Sequence, residues 1–323
     1  MSPPSPDAAA VTALVEHVAT TVVAPRFGDL AAGDVGEKSP GDVVTVVDHA
    51  AEAALTEGLT ALAPGVPVVG EEATAGDPGL LRALVDAPLA WVVDPLDGTR
   101  AFVAGSPDYA VMVGLVADGA PVAGWICLPE LGLTLVAERG AGAWRSGPGP
   151  TGASGMVRLA APAADDDPHP APRMLLAARY LPAPVRSHLA DRVGRVTGTG
   201  GMVLADSVWS GREYARLALG GTDAMLAWRT LPWDHAPGVA LVRELGGVAR
   251  RLDGTDYRAA GAGVGLLVAV APRVADVVAQ AAGTADLVPF TRSPARAPAP
   301  GPSPAGSPPG PQGRGGPGVA GAR

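Results

Sequence analysis

The sequence predicts a mixed fold, α+β in its first half and α/β in its second. Three features carry this: an N-terminal amphipathic helical pattern, a run of apolar segments separated by tight-turn residues, and a later alternation of short apolar runs with helical stretches. With 47% hydrophobic residues in 323, the chain can bury a sizeable core. Aromatics are only 4%, so aliphatic side chains must fill most of it.

After Asp7, a capping-type residue, Val11, Leu14, Val15, Val18 and Val22 recur at helical spacing and predict a first helix. A second helix is expected over 48–63. Apolar runs at 66–69 and 90–93 end in acidic or Pro/Gly residues and read as buried strands that deliver their C-terminal ends to loops. Residues 109–116, 121–128 and 134–139 read as a meander, with Asp118-Gly119 and Leu131-Gly132 as turns. The stretch 147–172 is rich in Pro, Gly and Asp and is expected to be a linker loop. It divides an N-terminal half, 1–146, from a C-terminal half, 173–290. Beyond it, strands are expected at 174–178, 214–219, 224–227, 248–252 and 264–269. Helices are expected at 185–193, 202–210, 235–245 and 274–282, with a turn at 197–201. Residues 291–323 are dominated by Pro, Gly, Ser and Ala and are expected to be a disordered tail.

The formal net charge of −8 argues against a nucleic-acid partner, which would require clustered Lys and Arg. The single Cys127, in an apolar setting, excludes an intrachain disulfide and reads as a buried thiol. No basic, apolar leader is visible at the start. The longest uninterrupted apolar stretch, 263–271, is too short to span a bilayer. These features give the expectation of a cytoplasmic protein without a membrane partner.

Three segments carry the chemistry: Gly70-Glu71-Glu72, Asp94-Pro95-Leu96-Asp97-Gly98-Thr99, and Trp233-Asp234-His235-Ala236-Pro237-Gly238. Each places carboxylates at the end of an apolar run. A set of oxygen donors poor in His and Cys suits Mg2+ and not zinc. Pro95 fixes a bend that would turn Asp94, Asp97 and the Leu96 carbonyl toward one point. Gly98 and Thr99 open a helical stretch whose free N–H groups suit a phosphate oxygen. Taken singly, Asp234 reads as a helix cap, Asp94 and Asp97 as a capped turn, and Glu71 and Glu72 as a solvated loop; their joint occurrence favours a metal site. Two residues separate Asp94 from Asp97, whereas the haloacid dehalogenase nucleophile motif has one, which disfavours an aspartyl-phosphate route. Asp165-Asp166-Asp167 with His169 reads as a solvated charge run. His235 reads as a helix-entry residue, and Trp91 and Trp233 as packing beneath the site loops.

Residues 91–99 and 233–247 resemble the two signatures of the inositol monophosphatase family. Lys38-Ser39-Pro40 through Asp48, and Gly70-Glu71-Glu72, stand in the family's order and spacing, so the resemblance covers roughly residues 8–287. It implies a layered α-β-α-β-α sandwich of the inositol monophosphatase / fructose-1,6-bisphosphatase type, a homodimer, lithium sensitivity, and two to three Mg2+ ions. One ion would be held by Glu71, Asp94 and the Leu96 carbonyl, a second by Asp94, Asp97 and Asp234, and a weaker third by Glu71 through waters. Thr99 and Asp48, with Glu71, would activate the attacking water, and Asp97, Gly98 and Thr99 would form the phosphate loop. The implied activity is hydrolysis of a small phosphorylated metabolite, inositol 1-phosphate or, within the same family, a histidinol, fructose-bisphosphate or nucleotide 3'-phosphate substrate. A silent metal-binding protein would lack one of these groups, and all are present. Inositol-selective members carry a Glu where this chain has Ala227, and Arg229 stands nearby as a candidate grip for a second anionic group. Pro237 replaces the usual Ala of the second signature.

Overall fold

The computed structural model describes residues 6–39, 41–147, 155–161, 172–193, 201–206, 208–261 and 263–291. Helix α1 (Ala8–Val18) starts where expected, with the Asp7 carboxylate accepting from the Ala9 amide at 2.9 Å. A hairpin, β1 (Val35–Ser39) and β2 (Asp42–Thr45), leads into α2 (Val46–Leu62), which buries Val47, Asp48, Ala51, Leu55 and Leu59 along one face. There follow β3 (Val68–Gly70), α3 (Glu71–Gly76), α4 (Ala83–Asp86), β4 (Leu89–Asp97) and α5 (Thr99–Val103). The meander is β5 (Ala110–Ala117), β6 (Ala120–Leu128), β7 (Leu133–Glu138), β8 (Gly142–Ser146) and β9 (Val157–Arg158). Asp118 and Gly119, at φ 47° and 77°, make the β5–β6 turn predicted from their residue types.

Among the described residues, β3 to β9 form a seven-stranded sheet in sequence order, with β3 and β4 parallel and the later pairs antiparallel. The second half contributes β10 (Met174–Ala177), α6 (Ala183–Val193), β11 (Met202–Ala205), α7 (Ser210–Ala218), β12 (Ala224–Ala227), α8 (Pro232–Glu244), β13 (Val248–Arg251), β14 (Leu266–Ala269), α9 (Pro272–Ala282) and α10 (Val288–Thr291). Its five-stranded sheet has the order β11-β10-β12-β14-β13.

The layers follow from strand periodicity. On β4, Trp91 and Val93 point into one apolar cluster with Val11, Val15, Leu55 and Leu59 of α1 and α2. Ala90 and Val92 point into another with Tyr214 of α7 and Val239 of α8, a cluster that also reaches Met225 and Val268 of the second sheet. The far face of that sheet packs Leu176 and Leu226 against Val185, Leu189 and Val278 of α6 and α9. The order is helices, sheet, helices, sheet, helices, as the resemblance implied. Trp91 and Trp125 pack with centroids 5.9 Å apart, a contact worth about 0.5–1.5 kcal/mol beyond its area.

Several expectations are corrected. The helix expected over 202–210 does not begin there: Met202–Ala205 is a strand paired in parallel with β10, Met174 opposite Met202, so sheet pairing overrides local propensity. Residues 214–219 are not a strand: Gly211, Tyr214, Ala215, Leu217 and Ala218 are buried at helical spacing in α7. Within the stretch expected to be linker, Val157 and Arg158 pair with β8 as an edge strand. Helix α8 begins at Pro232, so Asp234 stands inside its first turn and not before it, and Pro237 lies in the helix interior. The run Ala8–Arg26 is long and apolar enough, by length and composition, to cross a membrane; Thr12, Glu16, His17 and Thr20 break it up in sequence. Its Val11, Val15, Val18, Ala19 and Val23 are buried in the core. The Asp165–His169 run, residues 197–200 of the expected turn and 292–323 of the expected tail lie outside the described residues.

Pro237 explains two glycines. A Cβ at Gly124 would lie 2.2 Å from the Pro237 carbonyl oxygen, and one at Gly114 would lie 3.2 Å from the Pro237 ring. The helix therefore sits against the sheet at Gly124 more closely than a side chain there permits, and presses closely on Gly114. Gly124→Ala is expected to destabilise by at least about 1–3 kcal/mol, because the obstructing atom is backbone; a denaturation midpoint equal to wild type would contradict this close approach.

Candidate active site

Parallel pairing of β3 with β4 sets Gly70 opposite Val93, so the residues that follow, Glu71 and Asp94, emerge side by side. Glu71 opens α3, whose amide ends are capped from outside: Glu52 of α2 accepts from the Glu72 amide at 2.7 Å and the Ala73 amide at 2.8 Å. Gly70 leaves room for this cap, since a Cβ would lie 2.3 Å from the Glu52 carboxyl carbon and displace it.

Between Asp94 and Asp97 the β4–β5 register slips by a bulge, Asp94 facing Met112 and Asp97 facing Ala110. The Asp94 carboxylate accepts from the Leu96 amide at 3.1 Å. The first turn of α8 brings Asp234 to the same place, and carboxylate oxygens of Glu71, Asp94 and Asp234 all lie within 4.8 Å of one another. Asp97 lines the same cleft but stands apart from this triad, its two oxygens accepting from the Ser210 and Gly211 amides of α7 at 3.2 and 2.8 Å. The bulge thus splits the two aspartates between a shared acidic centre and a helix N-terminus.

Gly98 adopts φ 83°, and a Cβ there would lie 2.8 Å from the Asp108 carbonyl oxygen, so the turn into α5 admits glycine alone. It sets Thr99, whose hydroxyl is within hydrogen-bond distance of Asp48 Oδ1 (2.9 Å) and the Leu96 carbonyl (3.0 Å). The other Asp48 oxygen accepts from the Thr45 amide and hydroxyl at 2.8 and 2.6 Å, completing a capping box at the start of α2.

Electrostatics make this an unstable arrangement without a cation. Burial raises the Asp94 pKa well above the ordinary carboxylate value, and Glu71, Asp97, Asp234 and Asp48 push it further. Burial does the same to Asp234, with Arg229 opposing and Glu71, Asp97 and Asp42 adding to it. Burial lifts Asp97 to about 7 against the two α7 amides. Burial also raises Asp48, opposed by its bonds from Thr45 and Thr99. Lys38 reaches Glu71 at 2.8 Å and Glu72 at 2.6 Å. Burial works against its charge, but those two carboxylates more than offset that and raise its pKa. Clustered carboxylates, oxygen donors only, and a surplus of negative charge fit Mg2+. An ion drawn to Glu71 from the Lys38 side would compete with that ammonium group.

Of the residues singled out from sequence, Glu71, Asp94, Leu96, Asp97, Gly98, Thr99, Ala227, Arg229 and Asp234 line one cleft, and Asp48 stands behind Thr99. His235 is a buried part of the cleft wall, its ring nitrogens 3.0 Å from the Tyr214 hydroxyl and 3.1 Å from the Arg229 carbonyl, and burial lowers its pKa to about 4. Trp91 and Trp233 are core residues, as expected. Sequence reasoning assigned no role to Lys38, Glu52, Ser210 or Gly211. Thr45-x-x-Asp48 carries a capping signature that was legible. The others act across distances in sequence that no local pattern encodes.

The raised carboxylate pKa values have a testable sign. A folded-state pKa above the unfolded one means the folded form binds more protons between the two, so stability falls as pH rises through that window. Metal-free protein is expected to lose stability from about pH 4 to about pH 7 on account of Asp97, with Asp94, Asp234 and Asp48 acting in the same direction. Mg2+ should restore it at neutral pH, and Asp94→Asn should weaken that restoration. Thermal melts across pH with Mg2+ or chelator check this; a melting temperature indifferent to Mg2+ would contradict the site.

Comparison with known proteins agrees with this geometry. Residues 5–286 match the inositol monophosphatase family. The chain is 34% identical over 256 residues to an inositol-1-monophosphatase, ImpA, from Mycolicibacterium smegmatis, covering 76% of this chain and 84% of that one. It is 33% identical over 208 residues to a histidinol-phosphatase from Chlorobaculum parvum, covering 63% and 70%. Its fold resembles that of the Thermotoga maritima IMPase with a TM-score of 0.64 at 20% identity, covering 86% of this chain and 96% of that one. A SuhB protein from Bartonella henselae gives 0.65 at 22%, covering 84% and 98%. On this evidence the chain belongs to the inositol monophosphatase family, a family of phosphoric monoester hydrolases.

Proposed function

We propose that this protein hydrolyses a small phosphate monoester by attack of an activated water, with Mg2+ as the resident metal. Inositol 1-phosphate is the first candidate substrate, since relatives at about one-third identity are named inositol-1-monophosphatases, and histidinol phosphate the second. The observation that carries the reading is the convergence of Glu71, Asp94 and Asp234 beside the Thr99–Asp48 pair.

Glu71, Asp94, Asp97, Asp234 and the Leu96 carbonyl would hold the metal ions. When bound, Mg2+ supplies charge neutralisation at the phosphoryl oxygens and a lowered pKa for water. The Thr99 hydroxyl has one proton and two acceptors, Asp48 Oδ1 and the Leu96 carbonyl. Directed at Asp48, it leaves its own oxygen free to accept from a water in the cleft. A proton can then pass from water to Thr99 Oγ1 while the Thr99 proton moves to Asp48 Oδ1. Asp48 stays an oriented acceptor because Thr45 holds its other oxygen from two donors. The Gly98 and Thr99 amides would steady the phosphate. The homodimer expected from the resemblance belongs to this proposal as well.

The test is phosphate release from inositol, histidinol, fructose and adenosine phosphates with Mg2+ and with chelator. Turnover is expected only with Mg2+ and is expected to vanish in Asp94→Asn. Thr99→Val should lower kcat by about 10²–10⁴ with little change in the Mg2+ concentration giving half activity. No turnover of any ester in the wild type would overturn the enzymatic reading.

A further inference from the structure

We infer that the cleft contains a second oxyanion subsite, built on Arg229 and Tyr180, so that the preferred substrate carries a second phosphate or a carboxylate besides the phosphate that is cleaved. The inference rests on the phosphatase reading above but moves its substrate class away from the two esters named there, each of which carries a single anionic group.

Arg229 is partly buried in the cleft wall, and its guanidinium lies 4.1 Å from the Tyr180 ring centroid. Its Nε is buried with no hydrogen-bond partner, and its side chain makes no hydrogen bond or ion pair among the described residues. Leaving a buried guanidinium donor unmatched is costly, and the fork geometry matches an oxyanion in two-point contact. The acidic groups that act on Arg229 are Asp234, Asp42 and Glu71. Two of these belong to the metal-binding triad, whose charge bound ions would neutralise, leaving the guanidinium for a ligand.

The surroundings hold it in place. Tyr180 is 41% exposed, and its ring also meets Arg179 at 5.3 Å, so two guanidinium groups share one aromatic platform. Arg179 donates to the Gly41 carbonyl, tying the tip of the β1–β2 hairpin to this wall. The Arg229 carbonyl accepts from buried, neutral His235, which fixes the backbone from behind. Ala227 and Trp228 next to it offer no side-chain acceptor that would satisfy the guanidinium internally.

The experiment compares kcat/KM, with Mg2+, for esters matched except for the second anion: inositol 1,4-bisphosphate against inositol 1-phosphate, and 2-phosphoglycerate against glycerol 2-phosphate. The first pair reports a second phosphate and the second a carboxylate. Wild type is expected to favour the doubly anionic member of at least one pair by roughly tenfold or more, chiefly through KM. Arg229→Gln should collapse that ratio toward one, and Tyr180→Leu, which removes only the platform, should reduce it. Equal rates within both pairs in wild type would overturn the subsite while leaving the phosphatase reading intact. A ratio unchanged in Arg229→Gln would also overturn it and would make Arg229 a counter-charge to Asp234 alone. If no ester is turned over, the phosphatase reading falls and the subsite with it.

Discussion

The site depends on holding like charges together in a place that penalises them. Glu71, Asp94 and Asp234 converge from three segments far apart in sequence, and burial together with mutual repulsion raises Asp94 and Asp234 well above ordinary carboxylate values. Nothing in the cluster itself stabilises that convergence. The surrounding fold must impose it, through the β3–β4 register, the first turn of α8 and the Glu52 cap on α3. Such a cluster suits a multiply charged cation, whose charge would turn each of those repulsions into a shared attraction.

The same logic explains the glycines and the proline that bring α8 down onto the sheet. Asp234 reaches Asp94 because α8 lies against β5 and β6 at a separation set by Gly114, Gly124 and the Pro237 backbone. Tyr214 covers Gly238, where a Cβ would meet its ring at 2.0 Å, and its hydroxyl meets His235. That contact registers α7 against α8, the helix whose amides hold Asp97 against the helix that carries Asp234. Packing in the central layer is therefore also alignment of the acidic groups.

Most elements were legible because their apolar residues repeat at the period of the element they form. The β5–β6–β7 meander, α2 and the strands ending at Gly70 and Asp97 were all visible in this way. The two misread segments, 202–210 and 214–219, lie where short runs of Ala, Leu, Val and Met fit both periods, and the choice falls to pairing with β10 and to the buried face of α7. Thr45 and Asp48 were legible as a local capping pattern; Glu52 was not, because its partners are the amides of another helix.

The sequence by itself determined the chemical groups available: oxygen donors without His or Cys among them, a glycine at the turn into α5 where φ is 83°, and a threonine and an aspartate beside it in the cleft. It did so because side-chain identity fixes donor type, charge and permitted backbone angles. Only the tertiary structure decided the grouping: Asp94 with Glu71 and Asp234, Asp97 with the α7 amides, Lys38 across Glu71 and Glu72, and Arg229 over Tyr180. The reason is that a bulge of one residue, a strand register or a helix offset redirects a carboxylate by several ångströms, and those quantities are set by packing between segments with no mark in the residues concerned.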